Sequence, residues 1–297
     1  MKRATWYLGP LGGLRELPVP NPGFDDTVTR YGGVHQGLSG ARTVDVTGYR
    51  SSFTFSWNNL LPDEFNYFRA LHSRLIPGPY RLIDPRYKNR LSTQSSTMEV
   101  RPHKGAARVR GLGISLGGVV NYQWASDWPS EAGPGARCVR FSGYETGGSA
   151  LAYARFDNGV FAPVFDSETL TFSVYAKSEA ASSHCTLAID LYDKELGRLE
   201  GGPSEVFELT DSWQRISLSI DVPPGCAAVS PIILFGRWNS PGDVAEPLLF
   251  AAPQLEEGVA ATGWELGGGA KTVAIESLSS SSPQFLYEDC TLTLVET

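Results

Sequence analysis

The sequence predicts an all-β protein with one short helix. Glycine and proline, which favour turns, account for 32 and 20 of the 297 residues. Short stretches with alternating apolar and polar residues recur along the chain, as in half-buried strands, whereas only one segment has apolar residues at helical spacing. With 41% hydrophobic and 19% charged residues, the chain has the composition of a folded protein and is long enough for two domains.

The first hundred residues begin with an extended arm and continue with strands. Residues 1–30 are rich in Gly and Pro, so we expect them to run extended along a surface and to be able to reach a neighbouring molecule. Residues 43–49 and 52–57 alternate in polarity and predict two strands. Residues 80–85 predict a further strand after the helix.

The helix is predicted to begin at Pro62, because proline suits a first turn and the carboxylates that follow favour the positive end of the helix dipole. Leu61 is a poor N-cap residue. Ile76 and Pro77 end the pattern. One buried face is predicted from the residues at helical spacing, which are Phe65, Phe68, Leu71 and Leu75.

This order of strands and helix, followed by residues 78–85 and by Asn89-Arg90-Leu91, resembles the N-terminal ring-forming domain of siphophage distal tail proteins and related actinobacteriophage minor tail proteins. The resemblance covers roughly residues 30–92. It implies a β-sandwich hub that assembles into a ring, expected to contain six copies.

A second domain is predicted after a Gly-, Ser- and Pro-rich linker at residues 105–135. Seven short strands with turns between them favour a two-sheet sandwich. These strands are predicted at residues 137–142, 149–156, 169–177, 185–192, 213–220, 231–235 and 248–256.

Three segments of this domain, residues 169–176, 211–215 and 251–258, resemble the carbohydrate-binding-module-like jelly rolls of bacteriophage tail and baseplate proteins. Trp264 completes the likeness, which spans roughly residues 120–265. It implies a jelly-roll β-sandwich in which Trp264 returns to cap the sandwich edge.

The last residues of the chain are too few for a domain of their own. We therefore expect Leu292 and Leu294 to return to the hub, near Phe53 and Phe55. The predicted organisation is a hub in two parts, residues 1–104 and 270–297, interrupted by the jelly roll and its linkers at 105–269. The net charge changes at these boundaries: it is +6 for residues 1–104, −10 for residues 105–269 and −3 for residues 270–297.

Catalytic motifs are weak, and we expect no enzymatic activity. Residues 113–117 match G-x-S-x-G but lie in a predicted linker rather than a strand-to-helix turn. Residues 267–272 lack the first glycine of a phosphate loop, and Ala270 replaces the second. The acid pairs Asp190 with Asp193 and Glu256 with Glu257 are interpreted as solvated turns. The remaining candidates, interpreted as surface or packing residues, are His35, His72, His103 and His184.

No cofactor and no metal site are predicted, because the histidines lack ligand spacing and no two cysteines form a C-x-x-C pair. Two disulfides are an alternative to four free buried thiols, which we favour. The resemblance to carbohydrate-binding sandwiches implies that a structural calcium ion could be held by oxygens of Asp157, Asn158 or Asp243. The thiols in question are Cys138, Cys185, Cys226 and Cys290.

Glycan binding is the best supported small-ligand hypothesis, because aromatic rings at strand ends can stack on the apolar face of a sugar. The alternative is that aromatic residues fill the core, which we favour for Trp213 and Trp264. The candidate glycan-binding residues are Trp124, Trp128, Tyr144, Tyr192, Trp238 and Asn239.

The predicted function is a structural component of a phage tail tip that joins the tail tube to the baseplate. Expected partners are other copies of the chain, tail tube protein, tape measure protein, baseplate and tail hub proteins, and host-surface polysaccharide. We expect no membrane insertion, no signal peptide and no sequence-specific nucleic-acid binding, and we place the protein in the virion after assembly in the host cytoplasm. The alternatives are a free-standing carbohydrate-binding lectin and an accessory module of a glycan hydrolase.

Overall fold

The computed structural model describes residues 5–37, 39–44, 48–99, 114–133, 135–144, 152–236 and 247–297. The chain divides into two compact units. Unit 1 consists of Met1–Leu82 and Lys271–Thr297, and unit 2 consists of Ile83–Ala270. The all-β fold class is confirmed, and two short α-helices are present among the described residues. No helix among those residues is long and apolar enough to cross a bilayer.

The elements before residue 100 are β1 (Tyr7–Gly9), β2 (Arg15–Glu16), β3 (Asp25–Tyr31), β4 (Val34–Gln36), β5 (Arg42–Val44), β6 (Gly48–Leu60), α1 (Pro62–His72), β7 (Tyr80–Ile83) and α2 (Thr93–Ser96). The next are β8 (Ile114–Gly117), β9 (Val119–Ala125), a 3₁₀ turn (Ser130–Ala132), β10 (Cys138–Tyr144), β11 (Tyr153–Phe156), β12 (Ala162–Pro163) and β13 (Thr169–Ser178). The last are β14 (Ser183–Tyr192), β15 (Arg198–Leu199), β16 (Ser204–Leu209), β17 (Gln214–Asp221), β18 (Ala228–Phe235), β19 (Leu248–Glu257), β20 (Ala270–Gln284) and β21 (Tyr287–Glu296).

Unit 1 is organised around a seven-stranded sheet whose order is β2-β1-β7-β20-β21-β6-β3. Strand β21 pairs antiparallel with β6, and this register sets Leu292 opposite Phe55 and Leu294 opposite Phe53. All four side chains are fully buried. Residues from both parts of unit 1 therefore build one core, and the two leucines lie next to Phe53 and Phe55, as expected from the shortness of the last segment.

Helix α1 begins at Pro62, as predicted, and the Glu64 side chain accepts a hydrogen bond from the Leu61 backbone N–H at 3.0 Å. This contact supplies half of a capping box where Leu61 has no capping group of its own. Phe65, Phe68 and Leu71 are buried. The prediction for Leu75 is wrong: the helix ends at His72, and Leu75 is 80% exposed.

The arm packs against its own unit. Leu17 is buried in the core, the Trp57 Nε1–H donates to the Pro18 carbonyl at 2.9 Å, and the Asn21 N–H donates to the Ser56 carbonyl at 2.8 Å. Through these contacts, residues 17–21 of the arm pack against β6 and the core of the same chain. Residues 17–21 thus run along the surface of their own unit, as expected, and the contact of the arm with a neighbouring molecule stays a prediction.

Unit 2 is a jelly-roll β-sandwich of two antiparallel sheets. One sheet has the order β17-β13-β19-β10-β9, and the other has the order β15-β14-β18-β11-β8, with β12 and β16 attached at its sides. Alternate residues of both sheets, such as Phe172 of β13 and Leu187 of β14, enter one buried cluster. The alternation of apolar and polar residues is the pattern from which these strands were predicted.

Two boundary predictions differ from the structure. Residues 114–117 and 119–125 form strands β8 and β9 rather than linker. Unit 2 begins at Ile83 rather than after residue 104. The reason is visible at Asn89, whose side-chain amide donates to the Pro253 and Glu265 carbonyls and whose oxygen accepts from the Leu255 N–H. The bonds to Pro253 and Leu255 are buried and attach the Asn89-Arg90-Leu91 segment to β19 of the sandwich.

All four cysteines are free and buried, as favoured from their spacing. Burial raises the pKa of the Cys138 and Cys290 thiols to about 12, and it raises the pKa of Cys185 and Cys226 as well. A raised thiol pKa leaves little thiolate at pH 8, and the thiolate is the reactive form.

We therefore expect the native protein to be nearly inert to a thiol-reactive chromophore at pH 8. Four thiols should titrate once the chain is unfolded in denaturant. Rapid colour development from the native protein would contradict the burial of these side chains.

Candidate functional site

A shallow depression of about 270 Å³ lies at the edge of the five-stranded sheet and is lined by Trp124, Ala125, Trp128, Arg137 and Cys138. Strand β9 is the last strand of that sheet, and Trp124 stands opposite Val139 of β10 near its end. Trp124 is 50% exposed and Trp128 is 48% exposed. We call Trp124, Trp128 and Arg137 the tryptophan surface. The structure thus brings together two of the predicted glycan-binding residues.

Charged side chains hold this surface in place. The Arg137 guanidinium carbon lies 5.1 Å from the centre of the Trp124 ring, within the range of a cation–π contact. Asp127 accepts a hydrogen bond from Lys177 Nζ at 2.5 Å and from Trp213 Nε1 at 3.3 Å. The Lys177 bond is the main reason that the pKa of the Asp127 carboxyl is lowered. The segment that carries Trp128 is therefore fixed to β13 and to Trp213, the residue before β17.

The floor of the depression is apolar. Cys138 is buried there, and its raised pKa keeps the thiol neutral and unsuited to nucleophilic attack at ordinary pH. Around it, Ala132, Ala136 and Leu249 form a small cluster against which Trp213 and Trp264 pack. Trp264 also donates its Nε1–H to the Pro253 carbonyl at 3.2 Å. Both tryptophans thus serve mainly as packing residues.

The other predicted glycan-binding residues do not join this surface. Tyr192 is buried, and its ring stacks on Phe161 with 4.2 Å between the ring centres. Trp238 and Asn239 lie outside the described residues. Tyr144 closes strand β10, and its side chain is also outside what the structure describes.

A second polar cluster, missed in the sequence, lies on the seven-stranded sheet of unit 2. Asp190 of β14 is buried and forms ion pairs with Arg155 of β11 at 2.7 Å and with Arg198 of β15 at 2.6 Å. The Tyr192 hydroxyl lies 3.3 Å from Arg155 Nη1. The interpretation of Asp190 as a solvated turn residue is therefore wrong. Strand pairing brings the two arginines to Asp190, and no local sequence pattern predicts the cluster.

The remaining acids act within the fold. Asp193 accepts the backbone N–H groups of Glu195 and Gly197, which makes it a turn residue as predicted. Glu256 is buried rather than solvated and accepts the Thr262 N–H at 2.8 Å. Glu257 lies 3.8 Å from the Arg90 guanidinium.

Among the residues considered for calcium or catalysis, those that the structure describes have roles within the fold. Asp157 accepts hydrogen bonds from Ser92 and Ser95 at the start of α2. Asp243, His103 and Gly113 lie outside the described residues, while Ser115 of the G-x-S-x-G segment is part of strand β8. No group of three His, Cys, Asp or Glu side chains within the described part of the chain could hold a metal ion.

Chemically, the tryptophan surface offers two half-exposed indole faces, a cation and an apolar floor. Such a combination suits stacking on the apolar face of a sugar ring, with hydroxyl groups bonded to the polar rim. The depression is open and shallow, so it suits an extended chain or a chain end better than an enclosed small molecule.

No protein-family model matches the chain. No curated protein matches it either. Parts of the chain match solved structures. The enzymatically active domain of tailspike protein 4 from bacteriophage CBA120 is 14% identical, with a TM-score of 0.40 over 58% of this chain. The arabinose-bound MgGH51 α-L-arabinofuranosidase is 18% identical, with a TM-score of 0.39 over 58% of this chain.

The match covers 22% of the tailspike domain and 26% of the arabinofuranosidase. The CBM22-1 xylan-binding domain of Xyn10C from Paenibacillus barcinonensis is 14% identical, with a TM-score of 0.37 over 58% of this chain and 94% of that domain. Scores and identities this low carry no argument about function.

Proposed function

We propose that the protein is a non-enzymatic structural component of a bacteriophage tail tip. Unit 1 acts as a hub that self-associates into a ring between tail tube and baseplate, and unit 2 binds polysaccharide on the host surface through the tryptophan surface. The protein functions in the virion after assembly in the host cytoplasm.

The observation that carries this proposal is the interrupted construction of unit 1. Strands from both ends of the chain complete one sheet, and unit 2 is inserted between β7 and β20. This order agrees with the resemblance of residues 30–92 to ring-forming tail domains. An insertion of this kind lets an assembling unit carry a second folded module without opening its own core.

The glycan-binding part is supported by Trp124 and Trp128. A single exposed apolar residue is ordinary, but two half-exposed tryptophans around one depression form an apolar patch that favours a binding role. Arg137 adds a polar group to the lining of the depression, where it can donate to sugar hydroxyls.

The hub role is tested by the mass of the full chain in solution. We expect a closed oligomer by light scattering after gel filtration, and ring-shaped particles by negative-stain electron microscopy. Purified tail tube protein should dock on these rings. A compact monomer at every concentration, with tail tube protein present, would reject the hub role.

The glycan role is tested on an array of bacterial surface polysaccharides. We expect Trp128→Ala to weaken binding about tenfold, equivalent to about 1.4 kcal/mol, because stacking is lost. Trp128→Phe should retain part of the affinity. Val206→Ala is the control, since Val206 is exposed on β16 of the other sheet.

Binding that is unchanged in Trp128→Ala would reject the tryptophan surface as the glycan site. Glycan binding by a protein that remains monomeric would favour the lectin alternative. Release of free sugar by the purified chain would instead reject the non-enzymatic assignment.

A further inference from the structure

One face of strand β6 is buried in the core over most of its length and is exposed to solvent near the start of the strand. Phe53, Phe55 and Trp57 lie on that face and are buried. Toward the start of the strand the same face continues to Tyr49, which is 62% exposed. Its cross-strand neighbours on β3 share this face, because residues directly opposite in an antiparallel pair point the same way. They are Arg30, opposite Tyr49, and Val28, opposite Ser51.

We call Val28, Arg30 and Tyr49 the shelf. It is an extension of the core-facing surface with an aromatic ring, an aliphatic side chain and a guanidinium. Strand β3 is also the last strand of its sheet, and all seven of its residues are exposed. Exposed apolar residues on a sheet edge mark a surface suited to another polypeptide.

The shelf lies at the end of β3 that carries Arg30, whereas the exposed Asp25 and Asp26 lie at the opposite end of the strand, where they pair with Thr54 and Phe53. Between Thr27 and Ser52 the sequence contains three arginines, Arg30, Arg42 and Arg50, all exposed. The single carboxylate in that stretch is Asp45, which lies outside the described residues.

A complementary surface lies at the turn between β20 and β21. Gln284 pairs with Tyr287, so Phe285 and Leu286 form the two-residue tip of a hairpin. Phe285 is 86% exposed and Leu286 is 60% exposed. Residues 279–289 contain no lysine or arginine and two carboxylates, Glu288 and Asp289. We call Phe285, Leu286 and Glu288 the hairpin tip.

The backbone at the hairpin tip is strained. Leu286 has a φ of 76°, in the left-handed region that favours glycine or asparagine. A branched apolar residue there is unfavourable for the turn and gains no burial within its own chain. Eight other non-glycine residues among those described have a positive φ, but Leu286 combines it with an apolar side chain that is 60% exposed, which agrees with a contact outside the chain.

The two surfaces cannot meet within one molecule. Glu288 pairs with Leu60 at the end of β6, whereas Tyr31 pairs with Gly48 at its start. The strand has 13 residues, so its two ends are roughly 40 Å apart. A contact between different patches at opposite ends of a unit joins copies head to tail, and such contacts close into rings or continue as filaments.

We infer that the hairpin tip of one copy docks on the shelf of the next copy. Phe285 and Leu286 would cover Val28 and Tyr49, and Glu288 would pair with Arg30. This inference rests on the proposed ring-forming function and names the surfaces through which the ring closes.

The first test compares the wild type with two variants of the full chain by sedimentation velocity. Phe285→Ser with Leu286→Asn removes the hairpin tip, and Arg30→Glu with Tyr49→Ser removes the shelf. Each variant should be monomeric at concentrations where the wild type is oligomeric, a loss of at least tenfold in association. The hairpin variant should also melt at the same or a higher temperature, because asparagine tolerates the left-handed backbone better than leucine.

Mixing the two variants gives the sharper result. The shelf of the hairpin variant and the hairpin tip of the shelf variant are both intact, so one productive contact remains per pair. A head-to-tail interface therefore predicts a heterodimer that cannot grow further. An oligomer unchanged in both variants, or no heterodimer on mixing, would overturn the inference while the proposed ring remains.

Cross-linking identifies the contact directly. A variant with Leu286→Cys and Val28→Cys should form a ladder of disulfide-linked oligomers under oxidation, because the four native thiols are buried. Either single substitution should give no ladder. If the unmodified protein stays monomeric under all conditions, the proposed ring and this interface fail together.

Discussion

Removal of residues 271–297 is expected to unfold unit 1 completely. Strands β20 and β21 lie between β7 and β6, so their loss divides the sheet into two separate pieces. It also strips buried partners from Phe53 and Phe55. Truncating one buried leucine to alanine costs about 2–5 kcal/mol, and whole domains are stable by only about 5–15 kcal/mol. Leu292 and Leu294 alone account for about 4–10 kcal/mol on this scale, and with the β21 hydrogen bonds the loss is comparable with the whole margin.

Calorimetry and limited proteolysis measure this effect. The truncated protein should lose one thermal transition, and protease should degrade residues 5–82 while Ile83–Ala270 remains resistant. The matched control is Phe285→Asn with Leu286→Gly, which alters the exposed hairpin tip and should leave the transition in place. A truncated chain with undiminished heat resistance would refute the two-part construction of unit 1.

Substitution of Arg90 by alanine is expected to destabilise unit 2 by about 3–5 kcal/mol. Arg90 and Glu168 are both buried, with Arg90 Nη1 2.8 Å from Glu168 Oε2. Removing the guanidinium leaves a carboxylate enclosed by protein without its countercharge. The cost of that isolated charge dominates the expected loss.

Lys88→Ala provides the matched comparison two residues away. Lys88 Nζ lies 2.9 Å from Glu265 Oε1, but both side chains are substantially exposed. Solvent-exposed ion pairs contribute about 0–1 kcal/mol, so the change in unfolding free energy should be small. Chemical denaturation of both variants distinguishes the two cases. Equal effects would mean that Arg90 is more hydrated than its burial indicates.

Strands with regular alternation were predictable from the sequence. Thr169–Ser178 and Ser183–Tyr192 lie within two residues of their predicted bounds, because each alternate side chain enters the core between the two sheets. The first turn of α1 was also predictable, since proline and two carboxylates favour it locally. The exposed state of Leu75 was not, because the helix ends before the spacing pattern does.

Features that depend on distant pairing escaped prediction. Strand β8 contains one glycine and one serine among four residues, and it forms because β11 supplies its partner. The burial of Asp190 depends on Arg155, which is 35 residues earlier in the chain. At the candidate site, the exposure of Trp124 and Trp128 agrees with their predicted position at strand ends. The buried ring of Tyr192 shows that an aromatic residue at a strand end can equally face inward.

Strands β7 and β20 are hydrogen-bonded neighbours, and the Asp84 N–H donates to the Gly269 carbonyl at 2.9 Å. Paired strands are about 4.8 Å apart, so the end of β7 and the start of β20, between which the sandwich is inserted, are separated by little more than the length of one residue. A tight turn could bridge that gap, or a different module could be grafted there, with the seven-stranded sheet left intact. Recombination at this junction would exchange the inserted sandwich while conserving the sheet that carries it.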